Sequence, residues 1–346
     1  MNLLYIGGTG NISAASVRLA LDQGHQVTLL NRGQRAPDRL GIPDSPRLRR
    51  LQADIRDEAA TAAALSGLTF DAVANFIAFV PADIERDLRL FTGRCAQYFF
   101  ISSASAYEKP LRHPFITESH PLKNPFWEYS RNKIACEEAL TRAWRESDFP
   151  AIIVRPSLTY DTVWPVALGG WNDFTLIDRI RRGGEIIVHD GGTSLWTVTH
   201  SEDFARGFNG LLGDTTALGH AFHITSDEVL TWNQIYTLLA EAAGAPPRLV
   251  PIPSDFLAAR DPHLRGGLLG DKAHSALFDN TKIKRFVPGF QARIPFHQGV
   301  RRTLAWFEAD PARQTVIPAL NQALDAHLAA WRQTTALHPW PLFSIE

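Results

Sequence analysis

Leu3-Leu4-Tyr5-Ile6-Gly7-Gly8-Thr9-Gly10-Asn11-Ile12-Ser13 is the stretch whose reading decides the fold. Its first four residues form the apolar run that a parallel strand buried on both faces requires. From Ser13 the spacing becomes helical, with Ala15, Leu19 and Ala20 in register and Gly24 as the stop. The glycines between let backbone approach a phosphate closely and leave helix amides pointing at it. Such a turn often only redirects a chain; between a strand and a helix it predicts a dinucleotide site.

Working outward, residues 25–30 read as a second strand that ends at Asn31-Arg32-Gly33, which completes a βαβ opening. Further strands are predicted at 47–52, 71–76, 97–101 and 151–154, with helices at 58–65, 83–91 and 127–144. Five or six strands alternating with helices predict an α/β fold, a doubly wound parallel sheet of the Rossmann type. This domain is expected over residues 1–160, with later returns near 195–225 and 280–310. A smaller mixed α/β substrate domain, interleaved with it over 161–310, covers the carboxyl edge of the sheet. Residues 311–346 form a C-terminal helical extension, whose periodic part at 316–331 is either packed or oligomer-facing. Residues 108–126, rich in proline and histidine, read as a long loop over the sheet edge. His189-Asp190-Gly191-Gly192 reads as a hairpin turn. His200, Glu202 and Asp203 straddle a strand-to-helix junction, where Ser201 or Asp203 is expected as N-cap and no metal site is expected.

The 346 residues carry 35 Lys and Arg against 36 Asp and Glu, a net charge of −1 that gives no basic field for nucleic acid or an anionic membrane. Two cysteines, Cys95 and Cys136, are too few for a disulfide framework and read as small core residues. The N-terminus lacks the marks of a signal peptide, and no apolar run is long enough to span a bilayer. A cytoplasmic protein acting on a small molecule is the expectation, with neither nucleic acid nor membrane as partner.

Tyr129-Ser130-Arg131-Asn132-Lys133 sets a phenol and an ammonium four residues apart, on one helix face. A neighbouring ammonium stabilises phenolate, so Lys133 is expected to lower the Tyr129 pKa; it can also hold ribose hydroxyls. Ser103 ends the preceding strand at the same sheet edge as the glycine turn, where its hydroxyl can bond the substrate oxygen that Tyr129 protonates.

Together, the glycine turn, Ser102-Ser103 with Tyr107 four residues on, and Tyr129 to Lys133 resemble the extended short-chain dehydrogenase/reductases, the NAD-dependent epimerase/dehydratase group. The resemblance continues through Arg155-Pro156, His200-Ser201-Glu202-Asp203, His223-Ile224-Thr225 and Asp279-Asn280-Thr281-Lys282-Ile283, and so covers the chain to about residue 310. It implies Tyr129 as general acid/base, Lys133 as its activator and ribose anchor, and Ser103 as the substrate-oxygen partner, ahead of Ser102 and Ser105. It implies that Gly7, Thr9, Gly10, Asn11 and Ile12 cradle the pyrophosphate and that Asp54 and Ile55 meet the adenine, although an acidic loop residue equally caps a helix. Phe76, Ile77 and Ala78 would pass under the cofactor, Ile101 would border it, and Pro156 would lie near the nicotinamide amide. Family dimers suggest a homodimer through the helix of Tyr129, with Cys136, Leu140 and Trp144 either at that interface or facing the core.

The end of the second strand carries Asn31 and then Arg32, with Arg35 close behind, where NAD binders place an acid for the ribose 2′-hydroxyl. Guanidinium groups suit a 2′-phosphate, so NADP is expected, with NAD as the alternative and ordinary surface charge as the plain reading of the arginines. Four features depart from sugar-nucleotide enzymes. Ser103-Ala104-Ser105 replaces a Thr-Asp-Glu arrangement, which argues against 4,6-dehydration. Ser157-Leu158-Thr159 lacks the usual asparagine, Trp196 stands where an arginine often holds diphosphate, and the loop after Ala78 is short. Ser13 also replaces a common third glycine. Leu158, Trp196, Lys272 and Ser103 are the candidate substrate contacts, with Arg265 as another source of a phosphate contact. Trp127, Trp164, Trp171 and Trp196 are placed near the pocket, where an aromatic lining suits a sugar ring. The function expected is an NAD(P)-dependent oxidoreductase or epimerase at a hydroxyl or keto centre of a sugar, sugar nucleotide or related molecule. The competing expectation is a non-catalytic relative: the Gly-Gly-Thr-Gly opening and Asn75-Phe76-Ile77 also resemble chloroplast stem–loop RNA-binding proteins and redox-sensing regulators.

Overall fold

The structure is a computed structural model that describes residues 1–33 and 40–337. Its centre is a parallel sheet of β1 (Asn2–Ile6), β2 (Gln26–Asn31), β3 (Leu48–Gln52), β4 (Phe70–Asn75), β5 (Cys95–Ile101), β6 (Ala151–Pro156) and β7 (Ala221–Ile224). The strands lie side by side in the order β7-β6-β5-β4-β1-β2-β3. Alternation along β1 assigns the two faces. Leu3 and Tyr5 point to a cluster with Val17, Phe204 and Phe208, under helices α1 (Ser13–Asp22) and α5 (Ser201–Gly210). Leu4 and Ile6 point to the opposite cluster with Ile84, Cys136 and Leu140. That face is covered by α2 (Glu58–Ala64), α3 (Pro81–Phe91) and α4 (Glu128–Ser147).

Between β1 and β4 the strand order reverses, so the turn after β1 and the turn after β4 open a crevice at the carboxyl ends of the strands. The β4 turn is held from behind. Asn75 Oδ1 accepts the Ile77 amide at 2.8 Å, while Asn75 and the Tyr98 hydroxyl both donate to Asp87, which Arg86 also pairs.

Seven strands form the sheet: six within residues 1–160, and Ala221–Ile224, inside the return expected near 195–225, which pairs with β6, Ala221 opposite Ile153. Within the same return, Leu195–Trp196 pairs with Leu230–Thr231, and Val198–His200 with Leu158–Tyr160. Two local readings are corrected. His189–Gly192 is not a hairpin, since Ile186–His189 pairs with Leu249–Ile252; Asp190 instead accepts the Ser254 amide at 2.7 Å. The cap of α5 is His200, whose Nδ1 accepts the Glu202 amide, while Asp203 accepts the amides of Arg293 and Ile294.

Cys136 and Leu140 are fully buried in the sheet core, so they form no docking face, and Trp144 packs beside Gly219. Burial pushes the thiols of Cys95 and Cys136 up to about 12, leaving both poor nucleophiles. The terminal helix, Pro318–Leu337, buries Leu324 and Leu328 against Leu257 and Leu268. No helix among the described residues is long and apolar enough to cross a membrane.

One buried ion pair joins the elements that carry the catalytic candidates. Arg155 of β6 meets both carboxylate oxygens of Glu137 on α4, at 3.0 and 3.2 Å from its Nε, and Ser102 donates to the same carboxylate. Glu137→Ala would leave the Arg155 guanidinium buried and unpaired. It is expected to lower stability by about 3–5 kcal/mol; an unfolding midpoint in denaturant matching the parent's would refute this.

Candidate active site

A cavity of about 470 Å³ opens at the crevice and is lined on one side by Gly7, Gly10, Asn11, Ile12 and Ser13. Gly7 has φ +76°, and a Cβ there would fall 2.6 Å from Ile77 Cγ2, so the two turns are pressed together. A Cβ on Gly8 would meet Leu29 at 2.6 Å. Helix α1 starts with no side-chain cap and no acid in its first turn, which leaves its amide end facing the cavity. An uncapped, acid-free helix start behind a turn that admits no Cβ fits a dinucleotide's phosphates. Ser13, in place of a third glycine, is buried and uses its hydroxyl to bridge the turn, donating to Gly7 O at 2.8 Å and accepting Gly10 N at 2.9 Å. Asn11 bolts the turn to the segment after β6: Nδ2 donates to Thr159 O, and Oδ1 accepts the Thr162 amide.

Across the cavity stand Ser103, Tyr129 and Lys133, all on its wall. Tyr129 opens the first turn of α4, where its ring lies between Trp127, centroids 4.9 Å apart, and Phe79 at 6.4 Å. Burial pushes its phenol up to about 12; a hydrogen bond with Ser103 draws it down, and Asp271 adds to the rise. The expectation that Lys133 lowers the phenol is therefore not met in this structure. Lys133 Nζ instead donates to the carbonyls of Ala78 at 2.6 Å and Ile101 at 2.7 Å, and sits 5.7 Å from the Tyr129 ring centroid. Burial lowers the Lys133 ammonium to about 8.

Ser103 caps a short turn at Ala104–Ala106 and accepts the Ser105 amide at 3.2 Å. Its hydroxyl lies 2.9 Å from that of Ser105, and Ser130 donates to Ser105 at 2.7 Å. With Ser130 as donor, the Ser105 proton turns to Ser103, which leaves Ser103's own proton for the Tyr129 oxygen or for a substrate oxygen that takes its place. Ser105 is thus a support for Ser103, while Ser102 is engaged with Glu137.

Of the other predicted contacts, Phe76, Ile77, Ile101 and Pro156 line the cavity, as do Leu158, Trp196 and Lys272. Thr9 and Ala78 lie behind it; Ala78 takes part through its carbonyl. Asn31 and Arg32 follow Leu30, whose carbonyl accepts the Gly7 amide at 3.2 Å, so they flank the turn without lining the cavity. Arg35 lies outside the described residues. Asp54 and Ile55 are not brought to the wall: Asp54 accepts the Arg56 amide, and Ile55 is buried in the core. Of the four tryptophans, Trp127, Trp171 and Trp196 line the cavity, whereas Trp164 is fully buried, stacked on Phe307 at 4.7 Å. Arg265 borders a separate surface groove. Lys109 and Asp271 were not foreseen. The signal for Lys109 was its place, four residues after Ser105, where the chain has not yet left the crevice.

A sequence model described as the NAD dependent epimerase/dehydratase family matches residues 3–224. The 2'-dehydrokanamycin reductase of Streptomyces kanamyceticus is 26% identical over 337 residues, 97% of this chain and 93% of its own length. The chloroplast stem-loop binding protein of 41 kDa b of Arabidopsis thaliana is 24% identical over 70% of this chain and 64% of its own length. The crystal structure of a UDP-glucose 4-epimerase from Bifidobacterium longum in complex with NAD+ and UDP superposes with TM-score 0.73 at 18% identity, over 91% of this chain and 100% of that one. With its glycine turn at the sheet's switch point and the family match running from β1 to β7, the chain belongs to the NAD-dependent epimerase/dehydratase family.

Proposed function

We propose that this chain is an NADP-dependent reductase or epimerase acting at a hydroxyl or keto centre of a sugar or related small molecule. The observation that carries this reading is the meeting of Ser103, Tyr129 and Lys133 with the glycine turn around one cavity. A nicotinamide dinucleotide supplies hydride exchange when bound. Tyr129 holds its proton at neutral pH, with its phenol near 12, and so serves first as the acid that delivers a proton to a carbonyl oxygen. Ser103 offers the same oxygen a second hydrogen, freed by the Ser105–Ser130 chain. Lys133 keeps an ammonium at the floor between the turn after β4 and the end of β5.

Asn31 and Arg32 beside the turn support NADP, since no carboxylate stands there to repel a 2′-phosphate. Ser103-Ala104-Ser105, with no acidic side chain between the hydroxyls, supports reduction or epimerisation over dehydration. The sugar class draws support from the kanamycin-type reductase that matches nearly end to end. The stem-loop binding relative favours an RNA-binding reading instead, which the net charge of −1 opposes.

The test is nicotinamide turnover with a panel of keto sugars, NADPH against NADH, beside a nucleic-acid shift assay at physiological salt. Turnover with NADPH preferred is expected; tight salt-sensitive RNA binding without turnover would reject the reading. The same assay carries a pH prediction. Lys133 is charged below about 8 and loses its proton as pH rises through that value. Consequently kcat/KM is expected to fall above about pH 8, well below the ordinary lysine range; a profile flat to about pH 10 would contradict it.

A further inference from the structure

Two lysines from distant parts of the chain, Lys109 and Lys272, line the cavity together with Asp271. Lys109 is only 2% exposed, lines the cavity, and its ammonium makes no hydrogen bond among the described residues. Burial lowers its pKa, Asp271 raises it, and Lys272 lowers it; Asp271 and Lys272 line the same cavity. Asp271 and Lys272 end a π-helical turn, Leu268–Lys272, a local insertion that recurs at functional sites.

That turn is built rather than loose. The Lys272 carbonyl accepts His189 Nε2 at 3.0 Å, Ser194 Oγ at 3.2 Å and Trp232 Nε1 at 3.2 Å. Three donors from separate elements therefore hold the Lys272 side chain toward the cavity. Its ammonium lies 3.6 Å from the Asp271 carboxylate and 5.8 and 5.7 Å from the rings of Trp127 and Trp171.

The charges do not balance: two ammonium groups share one carboxylate, which Lys272 meets in an ion pair at 3.6 Å, while Lys109 has no ion pair among the described residues. An ammonium on a largely buried stem that lines the cavity is positioned to pair with an anionic ligand there. The Trp127 ring that the Lys272 ammonium faces stands 4.9 Å from the Tyr129 ring, so this charged group lies near the reacting centre.

We propose that Lys109 and Lys272, flanking Asp271, form an oxyanion-binding subsite, so that the substrate carries a carboxylate or phosphate near the centre held by Tyr129 and Ser103. This rests on the reading of the cavity as a sugar oxidoreductase site, and it selects sugar acids or sugar phosphates over amino sugars. Trp127 and Trp171 cover the hydrophobic ring face, and the two lysines supply charge-assisted hydrogen bonds to the oxyanion.

The experiment titrates the full chain with D-glucuronate, glucose 6-phosphate, glucose and glucosamine, read by the fluorescence of the tryptophans beside Lys272. At least one acid is expected to bind about ten-fold or more tighter than glucose, the worth of one charge-assisted hydrogen bond, with glucosamine weakest. Whichever acid leads names the oxyanion as carboxylate or phosphate. Lys109→Met is expected to erase the margin, and Lys109→Arg to retain part of it, with thermal melts confirming folding; Lys272→Met serves should Lys109→Met not fold. Glucose or glucosamine binding as tightly as both acids would overturn the proposal. So would no binding of either acid at millimolar concentration, or a margin unchanged in both methionine variants. Binding is read without turnover. A lysine-dependent preference in a protein with no nicotinamide turnover keeps the subsite and rejects the oxidoreductase reading; turnover confined to neutral or amino sugars does the reverse.

Discussion

Tyr129→Phe is expected to lower kcat by about 10²- to 10⁴-fold while dinucleotide affinity stays within about two-fold. The change removes one hydroxyl and keeps the ring, so the packing of residue 129 between Trp127 and Phe79 is preserved. The glycine turn and Lys133 hold their places without the phenol, because Ser13 bridges the turn and two carbonyls hold the ammonium. What is lost is the proton that burial keeps on the phenol at neutral pH. A decisive measurement pairs steady-state turnover with dinucleotide binding on the same preparation. Turnover within a few-fold of the parent would remove Tyr129 from the mechanism, and a parallel loss of binding would recast it as a structural residue.

Gly7→Ala should act at the other end of the cavity, through geometry alone. At φ +76° an L-residue is strained by about 1 kcal/mol, and the added Cβ would stand 2.6 Å from Ile77 Cγ2. Relief requires the turn after β1 and the turn after β4 to move apart, which displaces the amide end of α1. Dinucleotide affinity is expected to fall by about ten-fold or more, a loss of roughly 1.4 kcal/mol or greater. Binding by fluorescence titration checks it; Kd unchanged would show that the turn does not cradle the phosphates.

Much of the fold was legible because its signals are local. Helix α1 begins at Ser13, where the spacing places it, and ends at Asp22, just before the stop at Gly24, and β2, β4 and β5 lie within two residues of their expected bounds. Buried parallel strands need continuous apolar runs, and the helices between them need a periodic face, so both are written in consecutive residues. Where the reading failed, the deciding partner was remote. Residues 189–192 look like a hairpin turn until the flanking strand takes Leu249–Ile252 as its partner. His200 displaces the better N-cap types because Asp203 is already engaged with the amides of Arg293 and Ile294.

The site divides along the same line. From the sequence alone come the glycine turn, the Tyr129–Lys133 spacing and the serine at the end of β5, since each is a short motif whose chemistry needs those residue types at that separation. Tertiary structure decided their electrical state: burial holds Tyr129 up and Lys133 down, and points the Lys133 ammonium at Ala78 and Ile101. It also decided which residues share the cavity, bringing Lys109, Asp271 and Lys272 to its wall and keeping Trp164 in the core. The physical reason is that spacing along a helix or strand fixes which side chains share a face, whereas desolvation and charge pairing depend on what the rest of the chain packs against them.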